Sequence, residues 1–235
     1  MRVLSFLPIA IALLAGGTAS AASLMVRPTT VVLEGRTSAA TFTVSNNGNA
    51  PITAQIRVFG WDQNANEDSL APTTALVASP PMTTIPPGQS QTVRLVRVDR
   101  GQPTREEHYR LLVDEITDAA ADASSGVAIQ LRYSVPVFVM PNARDVANMT
   151  MTANVVTDAL QLEAQNTGGS HAQISNISLG YGDGSSVVVE AGLVGYVLPS
   201  KSRQWRFTVP LTALAKGNPQ SMRAVVNGEE LLIRL

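Results

Sequence analysis

The segment SGVAIQLRYSVPVFVMP, from Ser125 to Pro141, decides how the first half of this chain folds. Every second residue in it is a large apolar one, and a repeat of two places such residues on one face of a β-strand. The apolar row consists of Val127, Ile129, Leu131, Tyr133, Val135, Val137 and Val139. We expect part of this row to enter the protein's own core and part to offer an apolar edge to another molecule.

The rest of the chain contains further short alternating runs, separated by Gly, Pro, Asn and Asp. They include Thr41 to Val44, Ala54 to Trp61, Gln91 to Val98 and Tyr109 to Ile116. No segment has a long, well-capped helical period. Strands at this spacing with turn residues between them predict an all-β fold of sandwich type.

Two sequence patterns occur twice. Phe42-x-Val44-x-Asn46-x-Gly48 is similar to Leu162-x-Ala164-x-Asn166-x-Gly168, and the segment from Pro87 to Leu95 is similar to that from Pro199 to Phe207. The two matches have nearly equal offsets, which indicates two related β-sandwich domains. We place the first domain at residues 22–142 and the second at residues 143–235.

The first 21 residues have the pattern of a secretory signal peptide. Arg2 provides the positive charge, Val3 to Ala15 are apolar, and Ala19-Ser20-Ala21 is a cleavage site of small residues. We therefore expect an exported protein that begins near Ala22. No later stretch is long and apolar enough for a membrane span, so we expect no membrane insertion.

Composition excludes several classes of function. The chain has 17 basic and 18 acidic residues, a net charge of −1, which does not favour a nucleic-acid partner. It contains no cysteine, which rules out thiol catalysis, thiolate metal sites and disulfides. Stability must then come from burial of a core, for which the chain is long enough.

No catalytic or metal-binding constellation is evident, so we expect no enzyme activity, cofactor or metal. Asp62-x-Asn64-x-Asn66 begins like a calcium loop, but Glu67 and Thr73 stand where such a loop needs Gly and Glu, so we interpret it as a solvated hairpin loop. The only histidines, His108 and His171, fall in different predicted domains. The paired carboxylates at 106–107 and 114–115 point to opposite faces of strands and fit solvated or salt-bridged groups.

Several segments together resemble the periplasmic chaperones of chaperone–usher pilus assembly, most closely their archaic or alternative branch. The matching segments are Val31 to Gly35, Phe42 to Asn46, Arg57 to Trp61, Ser79 to Pro81, Ile85 to Gly88, Val93 to Leu95, Arg105 to Ile116, and Phe138 to Pro141. The resemblance covers nearly all of the first domain. In the second domain it extends only to the size of the domain, its position in the chain and its pattern of short strands.

The resemblance implies two immunoglobulin-like β-sandwich domains in a boomerang arrangement. It also implies that the last strand of the first domain is lent to an incomplete pilin subunit, by addition of a strand to a sheet edge. The insertion positions then correspond to Val127, Ile129 and Leu131, in agreement with the alternation. The implied partners are pilin subunits and an outer-membrane usher in the periplasm, and self-association of the free chain is left open.

The chain departs from the better-known branch at the residues that hold the subunit's terminal carboxylate. Thr30 and Pro136 occupy the two positions where that branch has basic residues. We assign the role to Arg94, with Arg132, because a guanidinium pairs well with a carboxylate. Arg27 and Arg97 are the alternative candidates for this carboxylate-binding role. Glu106 matches a family residue that fixes the domain orientation, but the position of its usual arginine partner is Met140, which places that contact in doubt.

Two other classes of function stay open at this stage. One is an exported structural or adhesion protein built from tandem β-sandwiches, because a fold alone does not define a function. The other is an exported hydrolase, which the missing catalytic residues disfavour. An accessible apolar edge in the segment from Val127 to Leu131 favours the chaperone, because an adhesion module would protect such an edge.

Overall fold

The computed structural model of the protein describes residues 24–116, 130–141 and 145–235. The predicted signal peptide, the boundary between residues 142 and 143, and the insertion positions Val127 and Ile129 lie outside the described residues.

The described part of the first half contains ten strands. They are β1 (Leu24–Arg27), β2 (Val31–Glu34), β3 (Ala39–Asn46), β4 (Ile52–Gln63), β5 (Asp68–Pro72), β6 (Leu76–Ser79), β7 (Met82–Ile85), β8 (Ser90–Arg97), β9 (Glu107–Ile116) and β10 (Arg132–Met140). They form a sheet of order β1-β3-β8-β6 and a second sheet of order β2-β10-β9-β4-β5, in which β7 also pairs with β4.

The second half contains seven strands and one short helix. They are β11 (Met149–Val156), β12 (Ala159–Asn166), β13 (Ala172–Gly180), β14 (Ser186–Val197), β15 (Lys201–Thr208), α1 (Leu211–Leu214), β16 (Ser221–Val226) and β17 (Glu229–Arg234). One sheet has the order β11-β12-β15 and the other β14-β13-β16-β17. The all-β prediction is therefore confirmed, and α1 is a single turn.

Each half has its own apolar core between its two sheets. The first core includes Phe42, Leu95, Leu111 and Val137, and the second includes Leu160, Ile174 and Met222. The alternation in β10 is confirmed where the structure describes it: Val135, Val137 and Val139 are buried in the first core, and Tyr133 packs against it. We call the two halves the first and second sandwich.

The repeated asparagine has the same structural role in both sandwiches. Asn46 donates from its side chain to the carbonyls of Ala50 and Ile85, at 2.7 and 2.9 Å, and accepts the N–H of Gly48. Asn166 donates in the same way to Ser170 and Val197 and accepts the N–H of Gly168. Both asparagines are fully buried, so each supplies the hydrogen bonds that a buried turn would otherwise lack. The repeat therefore reflects one recurring turn in two related sandwiches.

Candidate functional site

Strand β10 has a free edge over its first half. It pairs with β9 along residues 132–139 but with β2 only from Val137 to Met140. Among the residues that the structure describes, Arg132 to Pro136 thus have a strand neighbour on one side only. An edge of this kind is a template for the addition of another strand.

The direction of the backbone groups on this free edge follows from one hydrogen bond. The N–H of Glu115 on β9 donates to the carbonyl of Leu131 at 3.0 Å. In antiparallel pairing the direction of the backbone N–H and C=O groups alternates along the strand. The backbone groups of Leu131, Tyr133 and Val135 therefore point toward β9, and those of the even-numbered residues point toward the open side. Arg132 and Ser134 are exposed and present both N–H and C=O there, whereas Pro136 is buried and has no N–H.

The apolar row of the strand is divided between two roles. Tyr133 and Val135 belong to the first sandwich, and the Tyr133 hydroxyl donates to the carbonyl of Leu24 at 2.6 Å. Leu131, one of the three predicted insertion positions, is partly buried and packs against the same core. The core of the first sandwich therefore includes contacts with the apolar row as far back as Leu131.

Arg132 lies on the outer face of β10, beside the free edge. Its guanidinium and that of Arg57 both donate to the carboxylate of Asp114, Arg57 at 2.6 Å. Burial raises the pKa of Asp114, but these two hydrogen bonds outweigh burial and hold the pKa below its usual value. Arg132 itself is 63% exposed, so a mostly solvated cation stands next to the free backbone groups.

Arg94 lies in a different sheet from Arg132. It is an exposed residue of β8, opposite Thr41 on β3 and Ser79 on β6. The structure does not bring Arg94 and Arg132 together on one sheet face. Of the two alternative candidates, Arg27 is exposed at the end of β1, whereas Arg97 is buried and donates to the Gly101 carbonyl.

Glu106 lies at the junction between the two sandwiches. Its carboxylate accepts the hydroxyl of Ser170 at 2.7 Å and the backbone N–H of His171 at 3.1 Å. The ring nitrogens of His171 and His108 lie 2.9 and 3.2 Å from the same carboxylate oxygen. The sequence left the partner of Glu106 in doubt because Met140 replaces an arginine. The structure provides a hydroxyl and two imidazoles instead.

An apolar cluster completes this junction and was missed by the sequence analysis. Trp61, Phe138, Tyr196 and Leu198 are buried together, with Met140 packed against them. Phe138 interrupts the outer face of β10, which at Arg132 and Ser134 is polar. A large apolar residue on the polar face of a strand indicates a second contact surface, and that pattern was the available clue.

The hairpin of β4 and β5 also reaches the second sandwich. The N–H of Gln204 on β15 donates to the carbonyl of Ala65 at 2.7 Å, and Lys201 lies 2.7 Å from Asp62. The side chain of Gln63 donates to the Tyr196 carbonyl and accepts the Leu198 N–H. The sequence predicts a solvated hairpin loop here. The segment is a hairpin, and it docks on the neighbouring sandwich through these contacts.

Within the described ranges, no group of three or more His, Cys, Asp or Glu side chains is placed to hold a metal ion. None of the helices there has the length and apolar character needed to cross a membrane.

The family is established by its sequence model. The family described as pili and flagellar-assembly chaperone, PapD N-terminal domain, matches residues 23–144, just over half of the chain. This protein belongs to that family, and the resemblance seen in the sequence is confirmed. No curated protein sequence matches the chain at a significant level.

Solved structures share the fold of most of the chain at low sequence identity. One is a chain of the CsuC–CsuE chaperone–tip adhesion subunit pre-assembly complex, from the archaic chaperone–usher Csu pili of Acinetobacter baumannii. It has a TM-score of 0.65 and 22% identity, with 90% of this chain and 97% of that chain covered. The E. coli chaperone DraB has a TM-score of 0.57 and 22% identity, with coverage of 91% and 99%. A chain of the Salmonella enterica SafA pilin–SafB chaperone complex has a TM-score of 0.60 and 16% identity, with coverage of 92% and 98%.

Proposed function

We propose that this protein is a periplasmic pilus-assembly chaperone. It captures incomplete pilin subunits, folds and caps them by lending them a strand, and delivers them to an outer-membrane usher. The observation that carries this proposal is the free edge of β10 from Arg132 to Pro136, in a chain of the pilus-chaperone family. Chaperone activity of this kind needs no covalent step.

The proposed lending segment is residues 125–140, whose described part includes β10 (Arg132–Met140). Val127, Ile129 and Leu131 are the proposed insertion positions. Each large aliphatic side chain that becomes fully buried contributes roughly 1.5–3 kcal/mol. The free N–H and C=O groups of Arg132 and Ser134 add backbone pairing that fixes the register, because a slip of one residue would turn the apolar row outward.

Arg132 and Arg94 are the proposed anchors for the subunit's terminal carboxylate. Arg132 is exposed beside the free edge, and its partner Asp114 is shared with Arg57. If the terminal carboxylate of the subunit bound Arg132, Asp114 would therefore still be paired with Arg57. Arg94 is exposed on the other sheet of the first sandwich. It would contact a bound subunit that also covers the outer face of that sheet.

The free edge distinguishes this function from that of an exported adhesion or structural module. Proteins without a strand-binding partner protect their edges with charges, prolines, bulges or a covering segment. In the described part of β10, Arg132 and Ser134 keep complete backbone groups on the open side, and only Pro136 blocks a donor. Among the described residues, the edge is thus closed where β2 pairs with β10 and open from Arg132 to Pro136.

Co-expression of the chain with a pilin subunit encoded beside its gene tests the function directly. We expect a soluble 1:1 complex in which the subunit, insoluble when expressed alone, is folded. Size-exclusion chromatography with light scattering measures the stoichiometry. A subunit that stays insoluble with every neighbouring candidate, while the chaperone chain itself is folded, would contradict the proposal.

The two proposed anchors are tested by Arg132→Ala and Arg94→Ala, each compared with Arg100→Ala at an exposed position outside the strands. A hydrogen bond to a charged group contributes about 1.5–3 kcal/mol, so we expect each anchor variant to lower subunit affinity about tenfold or more. Competition between tagged chaperones for one subunit measures the ratio. If a variant competes as well as Arg100→Ala, that arginine does not hold the carboxylate.

A further inference from the structure

Asp114 lies between two arginines on the outer face of the sheet that carries the free edge. In the register of the strands, Asp114 of β9 is directly opposite Arg132 of β10, and Arg57 of β4 is opposite Leu112, two residues earlier on β9. Residues two apart on a strand share a face, so the three charged side chains stand together on one surface. The guanidiniums of both arginines donate to the carboxylate of Asp114.

This cluster has one net positive charge and more hydrogen-bond donors than its carboxylate uses. A guanidinium carries several N–H groups, and Asp114 accepts one hydrogen bond from each of the two arginines. The side chain of Arg132 is 63% exposed and that of Arg57 is 41% exposed, whereas that of Asp114 is 9% exposed. A second carboxylate therefore has access to the two cations from the solvent side.

The next arginine on the same face is already taken up by other groups. The guanidinium of Arg110 lies over the ring of Trp61, 3.6 Å from its centroid, and is 3.4 Å from the carboxylate of Asp68. Among the described residues, Asp114 is the one carboxylate paired with Arg132. The strength with which Arg132 attracts an anion is therefore set by Asp114.

Asp114 keeps its negative charge at neutral pH. Burial raises its pKa, but the hydrogen bonds from Arg132 and Arg57 outweigh burial and hold the pKa below its usual value. A guest carboxylate on Arg132 is thus attracted by two guanidiniums and repelled by one carboxylate. Two unit charges a few ångströms apart near a protein surface interact strongly enough to change an equilibrium constant about tenfold.

We propose that Asp114 competes with the subunit's terminal carboxylate for Arg132 and so keeps the captured subunit releasable. This inference rests on the proposed function, in which Arg132 binds that carboxylate, and it adds a residue that opposes binding. A chaperone that delivers its subunit to a second partner must also release it. Differences in affinity between related complexes arise mainly in the dissociation rate, so the effect of Asp114 is expected there.

Asp114→Asn tests the competition, because it removes the charge and keeps the shape of the side chain. We expect the complex of this variant with the pilin subunit encoded beside its gene to exchange its subunit about tenfold more slowly than the parent complex. Exchange is measured by mixing the complex of a tagged chaperone with an excess of untagged parent chaperone and following the subunit that stays with the tag.

The free variant is expected to change in the opposite direction. Without its charge, Asp114→Asn loses two ion pairs, so we expect a thermal midpoint about 2–4 °C lower than that of the parent. A residue that only supports the fold would give a less stable chaperone and a weaker complex. A less stable chaperone with a longer-lived complex is the signature of competition.

Three further variants serve as controls. Asp183→Asn makes the same change in net charge at the ion pair with Lys216 in the second sandwich, and we expect it to exchange at the parent rate. Asp114→Glu keeps the charge and is also expected to exchange at the parent rate. In a chain that already carries Arg132→Ala, Asp114→Asn is expected to slow exchange much less, because the two residues are coupled.

The rates decide the outcome. If Asp114→Asn exchanges as fast as the parent or faster, the proposal is overturned, while capture by the parent leaves the proposed function intact. Equal slowing by Asp183→Asn, or undiminished slowing in the Arg132→Ala chain, overturns it as well. A parent chain that captures no subunit contradicts the proposed function itself, and this inference falls with it. If Asp114→Asn does not fold, Asp114→Ser removes the same charge with a smaller side chain and is judged by the same rates.

Discussion

Replacement of both Val127 and Ile129 by aspartate is expected to abolish capture of the pilin subunit while the chaperone stays folded. These residues are the two insertion positions before Leu131, and the subunit must bury them in its open core. A carboxylate without a partner in an apolar site costs several kcal/mol, which is enough to remove a complex held by a few such anchors. Co-purification with the tagged chaperone measures the loss, and circular dichroism measures the fold.

Ala128→Asp is the matched control for this experiment. It introduces the same charge between the two positions, but strand alternation places it on the opposite face. We expect it to retain capture. Leu131→Asp is not suitable, because Leu131 also packs against the first sandwich and its loss would lower the stability of the chaperone itself. Normal co-purification of the double variant would show that the subunit does not bind the alternating apolar side chains of this segment.

Phe138→Ala is expected to lower the chaperone's own stability strongly and to uncouple its two sandwiches. Phe138 is fully buried between Trp61, Tyr196 and His171, with ring centroids 6.0, 5.7 and 3.5 Å away. Removing a buried phenylalanine costs about 3–5 kcal/mol, through lost burial and the cavity that remains. These neighbours belong to both sandwiches, so loss of the Phe138 ring also removes contacts between the sandwiches. We therefore expect the two sandwiches of the variant to unfold in separate steps. Denaturant unfolding followed by tryptophan fluorescence and circular dichroism measures both effects.

Phe42→Ala provides the comparison within the first core. Phe42 is equally buried, but its neighbours belong to the first sandwich alone. We expect a similar loss of stability there without a change in the coupling between the sandwiches. If Phe138→Ala lowers stability no more than an exposed substitution, or leaves the two transitions as coupled as before, the aromatic cluster does not join the sandwiches.

Local patterns in the sequence were sufficient for the architecture. The period of two in β10 predicts which residues enter the core, because side chains on a strand alternate regardless of what surrounds it. The repeat of Asn46 and Asn166 predicts a second, related sandwich. Each asparagine satisfies one carbonyl that lies four residues further along the chain and a second that lies 39 or 31 residues away. The four-residue turn depends on a short segment, so that segment itself carries the information.

Contacts between distant residues could not be predicted in the same way. Nothing in the local sequence of His171 indicates that it meets Glu106, 65 residues earlier, or that it stacks on Phe138. The sequence indicates Arg132 as an anchor, but nothing near it predicts that Asp114 lies beside it and is shared with Arg57. The sequence also groups Arg94 with Arg132, although the two lie in different sheets. These outcomes depend on which strands pair and how the two sheets face each other.

The amino-acid sequence alone determined that this protein is all-β and that the same asparagine turn pattern occurs in both halves, and it predicts one strand with a long apolar row. Those properties follow from residue spacing and from turn residues, which act over a few positions. Only the tertiary structure decided that β2 leaves half of β10 uncovered, and that a buried carboxylate with two imidazoles joins the sandwiches. Edge exposure and burial are set by the packing of segments far apart in the chain, and no short pattern encodes them.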